Sequence, residues 1–396
     1  MGDAPKKFLN LNWFLKGLFA VLFFIVGTNL FIDPWQIFHK PIFRDTYFYS
    51  YPQFQNAGVI NNYNFTGVIF SSSNGVNISN KMASEIFNEQ VVNLSVSGNT
   101  ILPRTIMLEY ALKRHPDLKL VLLSLDFDFE EKHSDLELND FIRSFKFLYN
   151  DSWWDDMRVY ASVDLFSCLL INWRCEHSLQ GEKRKELDEL YRDYVMPWYD
   201  NQFGQGIKSW SLDDPTALKH IKRLKRARKK ISGNFKSRFT LEEVSKFKKE
   251  AREILEKEVV RLIKSYPDVT FKLFFPPISI VYWANLVQGE TELFNRHVEN
   301  ARFIVEQTKG LQNVTISALE NLPMTDHLFN YKDLIHYNRK FNRKVLESIH
   351  LGQYNLTPDN VDEHVALLKQ RAKAVDLRTY ADLADQKLKT SDSQTF

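Results

Sequence analysis

The segment Asp333-Leu334-Ile335-His336-Tyr337 sets a carboxylate three residues ahead of an imidazole. Far upstream, the apolar run Gly67-Val68-Ile69-Phe70 stops at Ser71-Ser72-Ser73-Asn74-Gly75. A serine hydroxyl is a poor nucleophile until a nearby imidazole takes its proton, and the imidazole needs a carboxylate to fix its tautomer. Asp333 and His336 can bring both groups to one point from a single loop, so Ser73 is the candidate nucleophile, His336 its base and Asp333 the orienting acid. The oxyanion of such a reaction needs preorganised donors. The backbone N–H of Ser73 or Asn74, the N–H of Gly98 and the amide of Asn99 are the candidates. Each fragment also has a plainer reading. A Ser-Ser-Ser-Asn stretch after a strand makes a turn or a helix cap, Gly-Asn makes a turn, and Asp-x-x-His is common on surfaces.

The elements that would position these residues alternate along the chain. Apolar runs at 67–70, 91–96, 118–125, 269–275 and 314–319 read as strands, and helical spacing appears at 82–87, 101–115, 240–266, 284–308 and 338–350. The third run, LKLVLLSL, is apolar enough to be covered on both faces. Strands separated by helices imply an α/β domain with a parallel sheet and crossover helices. Ligands bind beyond the carboxyl ends of such strands. Ser73, Gly98, Asp126, Pro276-Pro277 and Asp333/His336 all follow strands, so they can converge although they are scattered in sequence.

The chain has 396 residues, 44% of them hydrophobic, enough for a full core. A net charge of +3 gives no global argument for nucleic acid. Residues 17–32 read GLFAVLFFIVGTNLFI and, counted from Leu11 with Lys16 able to snorkel, reach the roughly 20 residues that span a bilayer. Lys6 and Lys7 precede this run and Asp33-Pro34-Trp35 ends it, with no small-residue cleavage site. The expectation is an uncleaved, single-pass signal anchor in the cell membrane, with a cytoplasmic N-terminus and a periplasmic or extracellular body; a buried core helix is the alternative. The expected organisation is an anchor at 1–32, a connector at 33–65, the α/β domain in two parts at 66–129 and 240–350, a helical insertion at 130–239, and a C-terminal helix and tail at 351–396.

Other features carry less chemistry. Cys168 and Cys175 can form a disulfide in an exported body or remain thiols on one helix. The run KHIKRLKRARKK at 219–230 can hold an anionic glycan or lipid headgroup, or be a solvated helix face. Trp153-Trp154, Trp198 and Trp210 can stack on sugar rings or pack within the insertion. Asp126 and Asp128 are too few ligands for a cation site, and no metal is expected.

The segments VIFSSSNG, VVNLSVSGNT, LVLLSLDFDF, FFPPIS and DLIHY resemble the successive blocks of SGNH (GDSL-like) hydrolases. The similarity is greater to their membrane-anchored branch, which includes the partner protein for D-alanylation of teichoic acids and proteins of alginate-type O-acetylation. The DPW after the anchor also fits that branch. The resemblance covers about 66–350, with the insertion unmatched. It implies a three-layer flavodoxin-like domain, with Ser73 matching the nucleophile, Gly98 the second-block glycine, and Asp333 and His336 the other triad members. It further implies acyl transfer to, or ester hydrolysis on, a cell-envelope polysaccharide or polymer through an acyl-serine. A multi-spanning membrane O-acyltransferase is the implied partner, and no soluble cofactor is implied. Two departures stand out: Ser71 replaces a glycine, and SLDFDF offers Asp126 and Asp128 where the family carries an asparagine. The other class left open is a catalytically inactive SGNH-fold protein acting in envelope assembly or glycan binding.

Overall fold

The computed structural model describes residues 11–33, 35–42, 52–126, 142–161, 166, 201–231 and 240–392. Asp128, Cys168, Cys175, Trp198 and much of the expected insertion lie outside these residues. The chain divides into two compact units, residues 1–63 with 140–185, and residues 64–139 with 186–396. Residues that the sequence groups into one insertion are therefore shared between the units. In chain order the helices are α1 (Leu11–Ile32), α2 (Pro52–Asn62), α3 (Asn80–Phe87), α4 (Ile101–Arg114), α5 (Trp153–Tyr160), α6 (Pro215–Ile231), α7 (Leu241–Ile254), α8 (Arg261–Ser265), α9 (Ile280–Gly289), α10 (Thr291–Gln307), α11 (Asn342–Leu351), α12 (Val361–Ala374) and α13 (Leu377–Asp392).

The second unit is α/β. Its strands β1 (Gly67–Phe70), β2 (Val91–Asn93), β3 (Leu120–Ser124), β4 (Thr270–Phe275) and β5 (Val314–Ala318) form one parallel sheet in the order β2-β1-β3-β4-β5. Every residue of β1 and of β3 is buried, as expected of strands covered on both faces. The chain leaves β1 towards β2 on one side and returns through α4 to β3 on the other, so the order reverses at β1. That reversal opens a crevice beyond the carboxyl ends of β1 and β3, the usual ligand position in such sheets.

Local signals set most helix ends. Ser79 caps α3 by accepting a hydrogen bond from Met82 N at 3.1 Å. Thr240 and Glu243 exchange bonds of 3.1 and 2.9 Å in a capping box that opens α7. A π-helical turn, Leu255–Val260, links α7 to α8. The single helix expected over 284–308 is instead α9 followed by α10. The break falls at Glu290, whose backbone leaves the helical region (φ −136°, ψ 58°) and whose carboxylate holds Arg223 at 2.7 Å. Beyond α11 the tail forms α12 and α13, which bury Leu368, Ala372, Leu377 and Ala384 in the same core as Ile69 and Leu122.

A buried polar cluster ties α12 to the end of β5. Glu320 Oε1 accepts from His297 Nε2 at 3.0 Å, and His364 Nε2 lies 3.6 Å from Oε2. Burial pushes the Glu320 carboxyl upward, but the hydrogen bonds and charge of His297 and His364 outweigh it and hold it down at about 2. Its folded value thus lies below the unfolded one. The contribution is complete above pH ~4.5 and is lost as pH falls towards 2, roughly 3 kcal/mol for such a shift. Glu320→Gln should remove this dependence. Urea unfolding of both proteins from pH 5 to 2 checks it, and a stability difference that stays constant across that window contradicts it.

In the first unit, α1 is 22 residues long with a mean hydropathy of 2.0, which makes it long and apolar enough to span a membrane. Most of its large apolar side chains up to Phe24, among them Leu11, Trp13, Phe19 and Phe23, are exposed, while Ile25 is buried. Asp33 at its end is buried. It accepts from the backbone N–H groups of Ile37, Phe38 and His39 at 3.0, 2.8 and 2.8 Å, and from the Tyr160 hydroxyl. Trp153 and Trp154 belong to this unit and stack on each other at 3.9 Å with both rings exposed.

Candidate active site

Ser73 lies in the turn that follows β1. Gly75 N donates to Ser72 O at 3.0 Å, and Asn93 Nδ2 at the end of β2 donates to Gly75 O at 2.8 Å. The turn also rests on β3. The Ser124 hydroxyl lies 2.8 Å from Ser71 Oγ and 2.9 Å from Asp126 Oδ2. Since it has one proton and an ionised carboxylate can only accept, it donates to Asp126 and accepts from Ser71. Asp126 Oδ2 accepts further from Ser72 N at 3.2 Å and pairs with Arg104 Nη2 at 2.9 Å. Arg104 is fully buried, and its Nη1 donates to Ser124 O at 2.8 Å. Asp126 therefore anchors the turn that carries Ser73 to a buried arginine.

The other half of the site is a tight loop after β5. Tyr331 and Tyr337 form an antiparallel bridge, and Lys332 N donates to His336 O at 3.1 Å. Its base is pinned from several elements. Trp210 Nε1 donates to Tyr331 O at 2.8 Å, Tyr331 Oη to Pro277 O at 2.7 Å, and Ser279 Oγ to Leu334 O at 2.6 Å. Trp210 is fully buried beneath the loop, which removes it from any surface that could stack on a sugar.

These two supports bring Ser73, His336 and Asp333 together. Ser73 Oγ is 2.7 Å from His336 Nε2, and His336 Nδ1 is 2.5 Å from Asp333 Oδ2. Asp333 Oδ1 accepts from the backbone N–H groups of Ile335 and His336 at 2.7 and 2.9 Å, which fixes the carboxylate plane. Burial would raise the Asp333 carboxyl, but the charge of His336 and the polar contacts of His220 and His336 hold it well below the usual carboxylate range. It stays an anion, so Nδ1 keeps its proton and Nε2 is the basic nitrogen facing Ser73.

Ser73 and His336 open onto a cavity of about 470 Å³, also lined by Ser72, Asn74, Gly98 and Asp126. The N–H groups of Ser73 and Gly98 have no hydrogen-bond partner among the described residues and can serve an oxyanion. Gly98 has φ +70° with open space where a Cβ would stand, so the backbone conformation and not crowding calls for glycine. Asn74 lines the cavity, with its N–H at 3.4 Å from Ser72 Oγ. Asn99 is fully buried and does not line it, and its N–H is bonded to Val96 O at 3.2 Å. Asp126 stands in the cavity wall as an arginine-paired carboxylate, and no group of three or more His, Cys, Asp or Glu among the described residues is arranged to hold a metal ion.

The opposite wall comes from α6, the basic run. Ala217, Ile221, Leu224 and Ala227 pack into the core, while Thr216, Lys219, His220 and Arg223 line the cavity. One side of this helix is therefore part of the site. Arg223 pairs with Glu290 and lies over the Tyr282 ring at 5.0 Å, and Lys332 pairs with Asp214 at 2.6 Å. Sequence reasoning missed His220 and Arg223 as lining residues. The available signal was their three-residue spacing, which places them on one face of the helix. Compared with models of known protein families and with curated proteins, the sequence matches none.

Proposed function

We propose that the chain is a membrane-anchored, extracytoplasmic SGNH-type acyltransferase or esterase with a three-layer, flavodoxin-like catalytic domain. The observation that carries this reading is the hydrogen-bonded line Ser73–His336–Asp333, with spacings of 2.7 and 2.5 Å, opening onto a cavity lined by Ser73 and Gly98, whose N–H groups have no partner among the described residues. The parallel sheet and the motif order at its strand ends support the family assignment, and the length and apolar character of α1 support the anchor.

Ser73 Oγ attacks an acyl carbonyl as His336 Nε2 takes the hydroxyl proton. Asp333 stabilises the imidazolium, and the N–H groups of Ser73 and Gly98 receive the oxyanion. Collapse expels the leaving alcohol, which takes the proton from His336 and leaves acyl-Ser73. An acceptor hydroxyl or water then loses its proton to His336 and attacks the ester, and Ser73 is regenerated. The acceptor is a cell-envelope polysaccharide or related polymer, and a multi-spanning membrane O-acyltransferase supplies the acyl group from across the bilayer. Asp126 stands where the family carries an asparagine and cannot donate as an anion, so the oxyanion rests on two N–H groups.

The test is a fluorophosphonate serine probe applied to the full chain in detergent. The wild type should be labelled at Ser73 and Ser73→Ala should not. A folded wild type that resists labelling favours instead an inactive SGNH-fold protein of envelope assembly or glycan binding.

A further inference from the structure

Asp333 serves more than one histidine. His220 on α6 approaches the carboxylate oxygen that His336 does not contact, with Nδ1 3.5 Å from Asp333 Oδ1 and 3.2 Å from Leu334 N. The two contacts make opposite demands, since Leu334 N–H needs a lone pair on Nδ1 and Asp333 would need a proton there. The amide contact is shorter, and Asp333 Oδ1 is already occupied by the N–H groups of Ile335 and His336. Nδ1 is therefore the acceptor, and in the neutral ring the proton sits on Nε2. Burial pushes the His220 imidazole below its ordinary range against the opposing pull of Asp333, which keeps the ring neutral.

His220 is 5% exposed, and what remains exposed faces the cavity that holds Ser73 and His336. Its Nε2 has no protein partner among the described residues. Two neighbouring cations of the cavity wall are already engaged, Arg223 with Glu290 and Lys332 with Asp214. We propose that His220 is the acceptor-positioning residue of this site. Its Nε2–H binds one hydroxyl of a polyhydroxylated acceptor and thereby aims an adjacent hydroxyl at the acyl carbon on Ser73. A neutral donor selects an oxygen lone pair without requiring a charge, which suits a diol unit of a sugar. The proposal rests on the acyl-serine reading above and adds to it the acceptor's chemistry and the residue that recognises it.

The experiment uses the full chain in detergent, with p-nitrophenyl acetate as acyl donor and methyl glucoside competing with ethanol as acceptors. Acetylated products are quantified by mass spectrometry, and the fluorophosphonate labelling rate is measured alongside. In His220→Ala the glucoside-to-ethanol product ratio, which reports how the acyl-enzyme partitions and not how fast it forms, should fall by about 5- to 10-fold, the size expected for one neutral hydrogen bond, even where loss of the Leu334 contact slows labelling. His220→Gln, whose amide can donate from the position of Nε2, should restore most of the ratio. An unchanged ratio in His220→Ala overturns the proposal while leaving the acyl-serine reading intact. So does a loss of labelling as complete as in Ser73→Ala without recovery in the glutamine variant, because His220 would then act only through the triad or the fold. A wild type that is neither labelled nor acylated removes the acyl-serine reading itself, and the proposal with it.

Discussion

Asp333→Asn should lower turnover on p-nitrophenyl acetate by about 10⁴-fold while the protein remains folded. The oxygen of the substituted amide can still accept from the N–H groups of Ile335 and His336, now at 2.7 and 2.9 Å, so the loop keeps its shape. The other atom becomes an NH₂ facing His336 Nδ1, where Oδ2 now stands at 2.5 Å. Two donors cannot face each other, so the imidazole moves its proton to Nε2, and a protonated Nε2 cannot take the proton of Ser73. The lost negative charge also removes the partner that stabilises the imidazolium. Fluorophosphonate labelling should slow in parallel, because acylation of Ser73 needs the same proton transfer. Stopped-flow and steady-state rates alongside near-UV circular dichroism check this, and a loss below about 10-fold in a folded variant rules out Asp333 as the orienting acid.

The second large effect is on stability. Asp126→Ala removes the carboxylate that faces Arg104 at 2.9 Å, leaving a fully buried guanidinium without its counter-charge. Breaking a buried pair from one side costs about 3–5 kcal/mol, far more than an exposed pair. Ser72 N–H and Ser124 Oγ lose their acceptor at the same time, so the turn that carries Ser73 loosens as stability falls. Adding Arg104→Met to Asp126→Ala should recover much of the loss, since an apolar replacement leaves no charge to bury. Urea unfolding of the single and double variants measures both numbers. A single-variant loss under about 1 kcal/mol, or a double variant no better than the single, contradicts this account.

The strands, and the possibility that Ser73, Asp333 and His336 converge, were legible in the sequence for the same reason. β1 and β3 are short apolar runs bounded by turn residues, and Ser73 and Gly98 stand just past strand ends, where a parallel sheet gathers its loops. Residues that reach the site through packing were not legible. His220 and Arg223 sit in a helix so basic that its composition suggested a solvated face, and Trp210 looked like one member of an aromatic cluster. What these residues support is decided by contacts with Leu334, Glu290 and Tyr331, distant in sequence. The helix α2 gave no periodic signal because it buries Gln53, Gln55 and Asn56 alongside Val59 and Ile60, so polarity and burial do not track each other there. The break at Glu290 does follow a helix-ending glycine, Gly289, but an isolated glycine is tolerated inside a helical pattern, and the ion pair of Glu290 with α6 is tertiary.

Ser73 and His336 are 263 positions apart, so the hydroxyl and its base are made at very different times. A ribosome working at about 5–20 residues per second needs roughly 10–50 s to travel from one to the other. Throughout that interval the nascent protein carries Ser73 with no imidazole to activate it. On the proposed acyl-serine reading, reactivity begins only when the loop of residues 331–337 docks against the sheet, so a prematurely terminated product lacking residue 336 should be silent towards acyl donors. Completeness of synthesis is in this way a condition of reactivity, built in by the distance between two side chains.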